Sequence, residues 1–242
     1  MIDQHQMVDR RVRGPDRGLS HIISGADHAT LAHILRPGIN LAIWRRNTPF
    51  AMTAWLSACS AEDLIAAQDV ELRCPAVCVP ALLAAKIPAP SPERRAGILA
   101  LAHDAGALAI LMAKLARAPC VRVRVEWVRD QPCSYFHTDK VSFRLVCTYH
   151  GPATEWLSND VAGQLQGPQS IPPESEVRRM ATGDVAVMRG SLHSKDSEVP
   201  LTHRSPPLDF PLEWRLFLAV DSVDSRQHEH RARHRTLLSD TW

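Results

Sequence analysis

The sequence predicts an α+β protein in which a helical N-terminal half packs on an antiparallel β-sandwich or barrel built by the C-terminal half. Three observations carry this. Apolar residues recur at three- and four-residue steps through 98–115, the period of one helix face. From residue 120 the period falls to two, as in half-buried strands. Those strands follow one another without helical runs between them, which implies antiparallel pairing. With 242 residues and 45% apolar content, the chain can bury a sizeable core.

Residues 1–20 are polar and Arg-rich and read as a disordered or extended arm. INLAIW at 39–44 suits an isolated strand or one added to the later sheet. Ser60 can cap a short helix over 60–68. The main helix starts at SPERRAGI, where Ser91 caps and Pro92 takes the first helical position. Ile98, Leu101, Ala105, Leu108, Met112 and Leu115 form its stripe, and Pro119 prevents its continuation. In the β half, Val121, Val123, Val125 and Trp127 alternate with Arg122, Arg124 and Glu126. Phe143, Leu145, Cys147 and Tyr149 alternate in the same way, Gly183-Asp184 turns the chain before VAVM, and EWRLFLAVD at 213–221 is the last strand. The expected organisation is therefore a mainly helical region at 21–118, a β region at 119–222 and a polar tail at 223–242, with 21–222 as one structural unit.

A net charge of +2 is too near balance to indicate a nucleic-acid partner or a membrane surface. The most apolar stretch, 96–115, contains His103, Asp104 and Lys114, which argue against a membrane span. The N-terminus lacks the apolar run of a signal peptide. Six cysteines in such a chain read as buried thiols or ligands, and the expected location is the cytoplasm.

The stretch YFHTDKVSFRLVCTYHGPATEWL at 135–157 holds the candidate site. Residues i and i+2 of a strand share a face, so His137 and Asp139 can reach one metal ion. A third ligand should come from a distant strand, and His150, His193 and His203 are the downstream candidates. Arg215 lies on the polar side of the last strand, alternating away from Trp214, Leu216 and Leu218, where it could pair with a carboxylate. Two histidines and one carboxylate leave coordination positions open, which suits non-haem iron(II) oxygenases.

This order of parts resembles the 2-oxoglutarate/iron(II) dioxygenases. The resemblance implies a double-stranded β-helix (a jelly roll), with His137, Asp139 and His203 holding Fe(II) and Arg215 binding the far carboxylate of 2-oxoglutarate. GDVAVMRG resembles the strand that precedes the distal histidine in such enzymes. CSYFHTDKVSFRLVCTYHGPATEWL, GDVAVMRG and LTHRSPP together resemble a bacterial family known only as a domain of unknown function. Members of that family tend to lie near zinc-responsive genes and metal-chaperone GTPases, so this second resemblance implies a link to zinc homeostasis and assigns no reaction or substrate.

Several residues keep two readings. His193 rivals His203, although Arg215 follows His203 at the closer spacing. Cys133 is either a buried apolar side chain or, with His137, Asp139 and His203, the fourth ligand of a zinc-binding or zinc-sensing module without turnover. Arg144 either meets a substrate carboxylate or balances a site acid. Thr154 and Trp156 would share one side of an extended chain, facing the pocket mouth or the core. Cys74 and Cys78 in CPAVC suggest a packed corner, and His228, His230 and His234 a solvated tail.

Overall fold

The computed structural model describes residues 19–89, 91–167, 169–193, 198–210 and 212–223. Its strands are β1 (Ile22–Gly25), β2 (Leu41–Trp44), β3 (Val70–Cys74), β4 (Cys120–Val128), β5 (Phe143–His150), β6 (Glu155–Trp156), β7 (Arg178–Arg179), β8 (Val185–Arg189), β9 (His203–Arg204) and β10 (Arg215–Val223). The α-helices are α1 (Phe50–Ser57), α2 (Ala61–Ala66), α3 (Val79–Lys86), α4 (Pro92–Ala116) and α5 (Asn159–Ala162). Together they make a mixed α+β fold with a large sheet. The arm at 1–18 and the tail beyond Val223, with His228, His230 and His234, lie outside the described residues.

α4 forms where its signals place it. The Ser91 hydroxyl accepts from the Arg94 N–H, and the helix stops where Arg117 turns left-handed at φ 50° before Pro119. Ser60 and Asp63 make a capping box at the start of α2. The region 21–118 is not helical alone. It supplies β1, β2 and β3 to the sheet, and INLAIW becomes β2, paired with β8.

The seven-stranded sheet runs β1-β2-β8-β5-β10-β4-β3, antiparallel except where β1 meets β2. A second, three-stranded antiparallel sheet runs β7-β6-β9. The large sheet is covered on both faces. On one, Leu145, Val187, Leu216, Leu218 and Val220 pack with Met52, Leu83, Ile98, Leu101, Leu108 and Met112 of α1, α3 and α4. On the other, Val146, Ala186, Met188 and Ala219 pack with Trp156, Met180 and Leu201 of the small sheet and its flanks. This is why all five residues of β8 are buried and its sequence does not alternate.

Among the described residues, α4 is long and apolar enough to cross a membrane by length and composition, and 50% of its apolar window is buried in this fold. Its acid, Asp104, faces inward. Two guanidinium N–H groups of Arg46 bond its oxygens at 2.6 Å each, and the Tyr149 hydroxyl donates to it at 2.7 Å. Both side chains of the ion pair are 14% exposed. Asp104→Ala would leave Arg46 half-enclosed without its counter-ion. Chemical denaturation should show a loss of about 3–5 kcal/mol, the usual effect of removing one partner of a buried pair.

Candidate metal centre

The site begins with two backbone bonds. His137 and His203 form an isolated antiparallel bridge in which each N–H donates to the other's carbonyl at 2.9 Å. Directly opposed residues point to the same face, and the two imidazole centroids lie 4.7 Å apart. Asp139 is fixed by its own carbonyl, which accepts from the Ser191 N–H at 2.8 Å and the Ser191 hydroxyl at 3.1 Å. The chain after β8 can come this close because residue 190 is glycine: a Cβ there would stand 2.2 Å from the Val141 carbonyl oxygen and 2.8 Å from that of Asp139. The last residue of GDVAVMRG thus shapes the site.

One ligand-type atom each from His137, Asp139 and His203 lies within 4.8 Å of the others, so the three could hold a metal ion. His203 Nε2 is 3.2 Å from Asp139 Oδ2, and His137 Nε2 is 3.6 Å from Oδ1. The opposite ring nitrogens face carbonyl oxygens, Nδ1 of His137 that of Tyr135 at 3.0 Å and Nδ1 of His203 that of Leu201 at 3.2 Å. A carbonyl only accepts, so Nδ1 carries the hydrogen and Nε2 of a neutral ring presents its lone pair inward. Two lone pairs aimed at a carboxylate repel unless a cation, proton or metal, lies between them. The donor set and its tautomers fit a first-row metal.

The electrostatics agree. Contact with Asp139 raises the His137 pKa against the effect of burial. Burial alone would raise the Asp139 carboxyl, but His137, His203 and Arg144 hold it well below the usual carboxylate range. Arg144 donates from Nη1 to Asp139 Oδ2 at 2.7 Å and from Nε and Nη2 to Asp221 at 2.7 and 3.0 Å. It balances the site acid.

Arg215 is different. It is 2% exposed, its Nη2 reaches the Thr148 hydroxyl only at 3.4 Å, and its Nε has no partner. Burial pushes its pKa down to about 10, with Glu126 and Cys133 opposing. It opens on the same cavity of about 590 Å³ as the three clustered side chains, together with Thr154, Cys133, Arg124, Glu126, Val146, Met188 and Phe217. A buried cation facing a cavity without a bonded carboxylate is arranged for an anion.

The remaining candidates separate. Cys133 lines the cavity but, among the described residues, stands outside the three-residue cluster, so the four-ligand arrangement is not assembled. His150 stacks on Trp214 with centroids 4.0 Å apart. Trp156 packs in the core between the sheets. The His193 side chain lies outside the described residues. Thr148, Asp221, Arg124 and Glu126 were not singled out by the sequence as site residues. The signal was present, because Arg144, Val146 and Thr148 form the alternate face of β5 opposite Leu145, Cys147 and Tyr149.

Fold and cluster together define a mixed α+β protein with a cation-binding centre at one end of its large sheet. The chain belongs to the family described as Protein of unknown function (DUF1826), whose profile matches residues 25–221. No curated protein sequence matches it. Among solved structures it is similar to a candidate oxygenase from Shewanella oneidensis, at 12% identity over 89% of this chain and 98% of that one, with a TM-score of 0.43. It is also similar to a Neurospora crassa hydroxylase. The truncated apo form matches at 18% identity, 53% of this chain, 44% of that chain and a TM-score of 0.30. The full-length complex with alpha-KG matches at 17%, 54%, 41% and 0.30.

An unbalanced buried charge destabilises the fold that holds it. Arg215→Met should therefore raise stability in the ligand-free protein by about 1–3 kcal/mol. In thermal unfolding that corresponds to roughly 2–4 °C for each kcal/mol.

Proposed function

We propose that this protein is a non-haem Fe(II)/2-oxoglutarate-dependent oxygenase, its two sheets forming a double-stranded β-helix. In this reading His137, Asp139 and His203 hold the metal, and Arg215 with Thr148 receives the far carboxylate of 2-oxoglutarate. The observation that carries the reading is the joint one: a two-histidine, one-carboxylate cluster and a buried, under-bonded guanidinium share one cavity.

Each residue then has a task. The two Nδ1–H groups hold the imidazoles with Nε2 turned inward. Arg144 occupies Oδ2 of Asp139, which favours ligation through the other oxygen and keeps coordination positions open. Fe(II) in such a set supplies the redox chemistry that couples oxidation of a 2-oxo acid to oxidation of a second substrate. Arg215 orients the 2-oxo acid by a charge-assisted contact at its far end, so that its 2-oxo end faces the cluster. The apolar wall of Val146, Met188 and Phe217 limits water around the cosubstrate's chain. Six unpaired thiols suit a reducing, cytoplasmic setting.

Metal content and optical spectra test this. Wild-type protein should bind one Fe(II), and His137→Ala should lose stoichiometric metal while retaining its circular dichroism. The anaerobic Fe(II) protein should gain a visible charge-transfer band on addition of 2-oxoglutarate, and Arg215→Ala should lose the band at the same cosubstrate concentration while keeping the metal. Full metal content in His137→Ala would contradict the assignment of the ligands.

A further inference from the structure

The proposed carboxylate subsite has an acid of its own beside it. Arg124 and Glu126 occupy alternate positions of β4 and line the cavity with Arg215. Glu126 lies directly opposite Phe217 of β10, and on the other side Phe217 lies opposite Thr148 of β5. The Arg215 side chain leans along β10 into this row. Its Cζ is 4.9 Å from the Phe217 ring centroid, and its Nη2 approaches Thr148. The guanidinium therefore sits over the row Glu126, Phe217, Thr148, with the threonine on one flank and the glutamate on the other. Directly opposed residues in a sheet are separated by only about 5 Å at Cβ, well within the length of a glutamate side chain.

Glu126 is nevertheless turned elsewhere. Its Oε1 accepts from Arg124 Nη1 at 2.7 Å, and the two side chains are 24% and 21% exposed. The attraction between Glu126 and Arg215 persists across the cavity, where the glutamate charge helps the buried guanidinium keep its proton. The side-chain carboxylate of Glu126 is the same chemical group as the far end of 2-oxoglutarate, and it is tethered beside the same cation.

We propose that Arg124 is a positioning residue that holds Glu126 away from Arg215, so that the protein's own carboxylate does not occupy the place of the cosubstrate's. The inference rests on the reading of Arg215 as the cosubstrate anchor. Without Arg124, Glu126 has one remaining cation within reach, and the internal ion pair competes with every incoming 2-oxo diacid. The Arg124–Glu126 pair thereby sets how tightly the subsite binds.

The test is an anaerobic titration of the Fe(II)-loaded protein with 2-oxoglutarate, reading the charge-transfer band for a dissociation constant and metal content in parallel. Arg124→Gln should weaken binding by about tenfold or more, the scale of one charge-assisted bond. The double variant Arg124→Gln/Glu126→Gln should return to within about threefold of the wild type, because it removes the competing carboxylate. Glu126→Gln alone should bind at least as tightly as the wild type. All variants should keep full metal content, since none of these residues belongs to the cluster. Unweakened binding in Arg124→Gln, or a double variant as weak as the single, would overturn the inference while leaving the oxygenase reading intact. A wild type that binds Fe(II) but no 2-oxoglutarate would overturn both.

Discussion

Asp139 carries its charge in a place where burial opposes it, and this end of the molecule is arranged around that conflict. Two imidazole nitrogens and one guanidinium converge on a single carboxylate, and each comes from a different part of the chain. His137 precedes β5, Arg144 lies within it, and His203 opens β9. The interaction therefore ties the large sheet to the small one. Asp221 extends the arrangement by one strand, since Arg144 can bond Asp139 only in the direction that its other two N–H bonds leave free. Without this carboxylate the two histidines would face each other with nothing to balance them when protonated.

The rest of the fold supplies rigidity to that junction. α4 and its neighbours press on one face of the large sheet and the small sheet covers the other, so β5, β8 and β10 are confined on both sides. Side chains presented from such strands hold their geometry better than side chains on loops. Arg215 illustrates the consequence. It is held beside Thr148 and Phe217 by strands that cannot move aside, and it carries an unpartnered Nε that an optimised core would not keep. Stability is given up at one point, and the point lies in the cavity that the His-Asp-His cluster shares.

Much of this was legible in the sequence, for identifiable reasons. α4 announces itself through its stripe, the Ser91 cap and Pro119, all local signals. β4, β5 and β10 announce themselves by alternation. β1 and β3 do not, because strands of four and five residues give too few positions to show a period. His137 and Asp139 could be named from their spacing and the strand that follows, whereas their meeting with His203 depends on a bridge between segments far apart in the chain. Arg124 and Glu126 illustrate the opposite limit. Alternating charges on one side of a strand look like a solvated face, and only the register of β4 against β10 shows that they border a cavity. Trp156 could face cavity or core by sequence, and the small sheet turns it to the core.

The central claim is that one metal ion sits among His137, Asp139 and His203 and that a 2-oxo diacid spans from it to Arg215. Anomalous X-ray scattering at the iron edge, from crystals grown anaerobically with Fe(II) and 2-oxoglutarate, tests it most directly. The account predicts a single strong peak among those three side chains, with continuous ligand density reaching the Arg215 guanidinium. A peak that takes Cys133 as an additional protein ligand, or density that leaves Arg215 without a carboxylate, would contradict it.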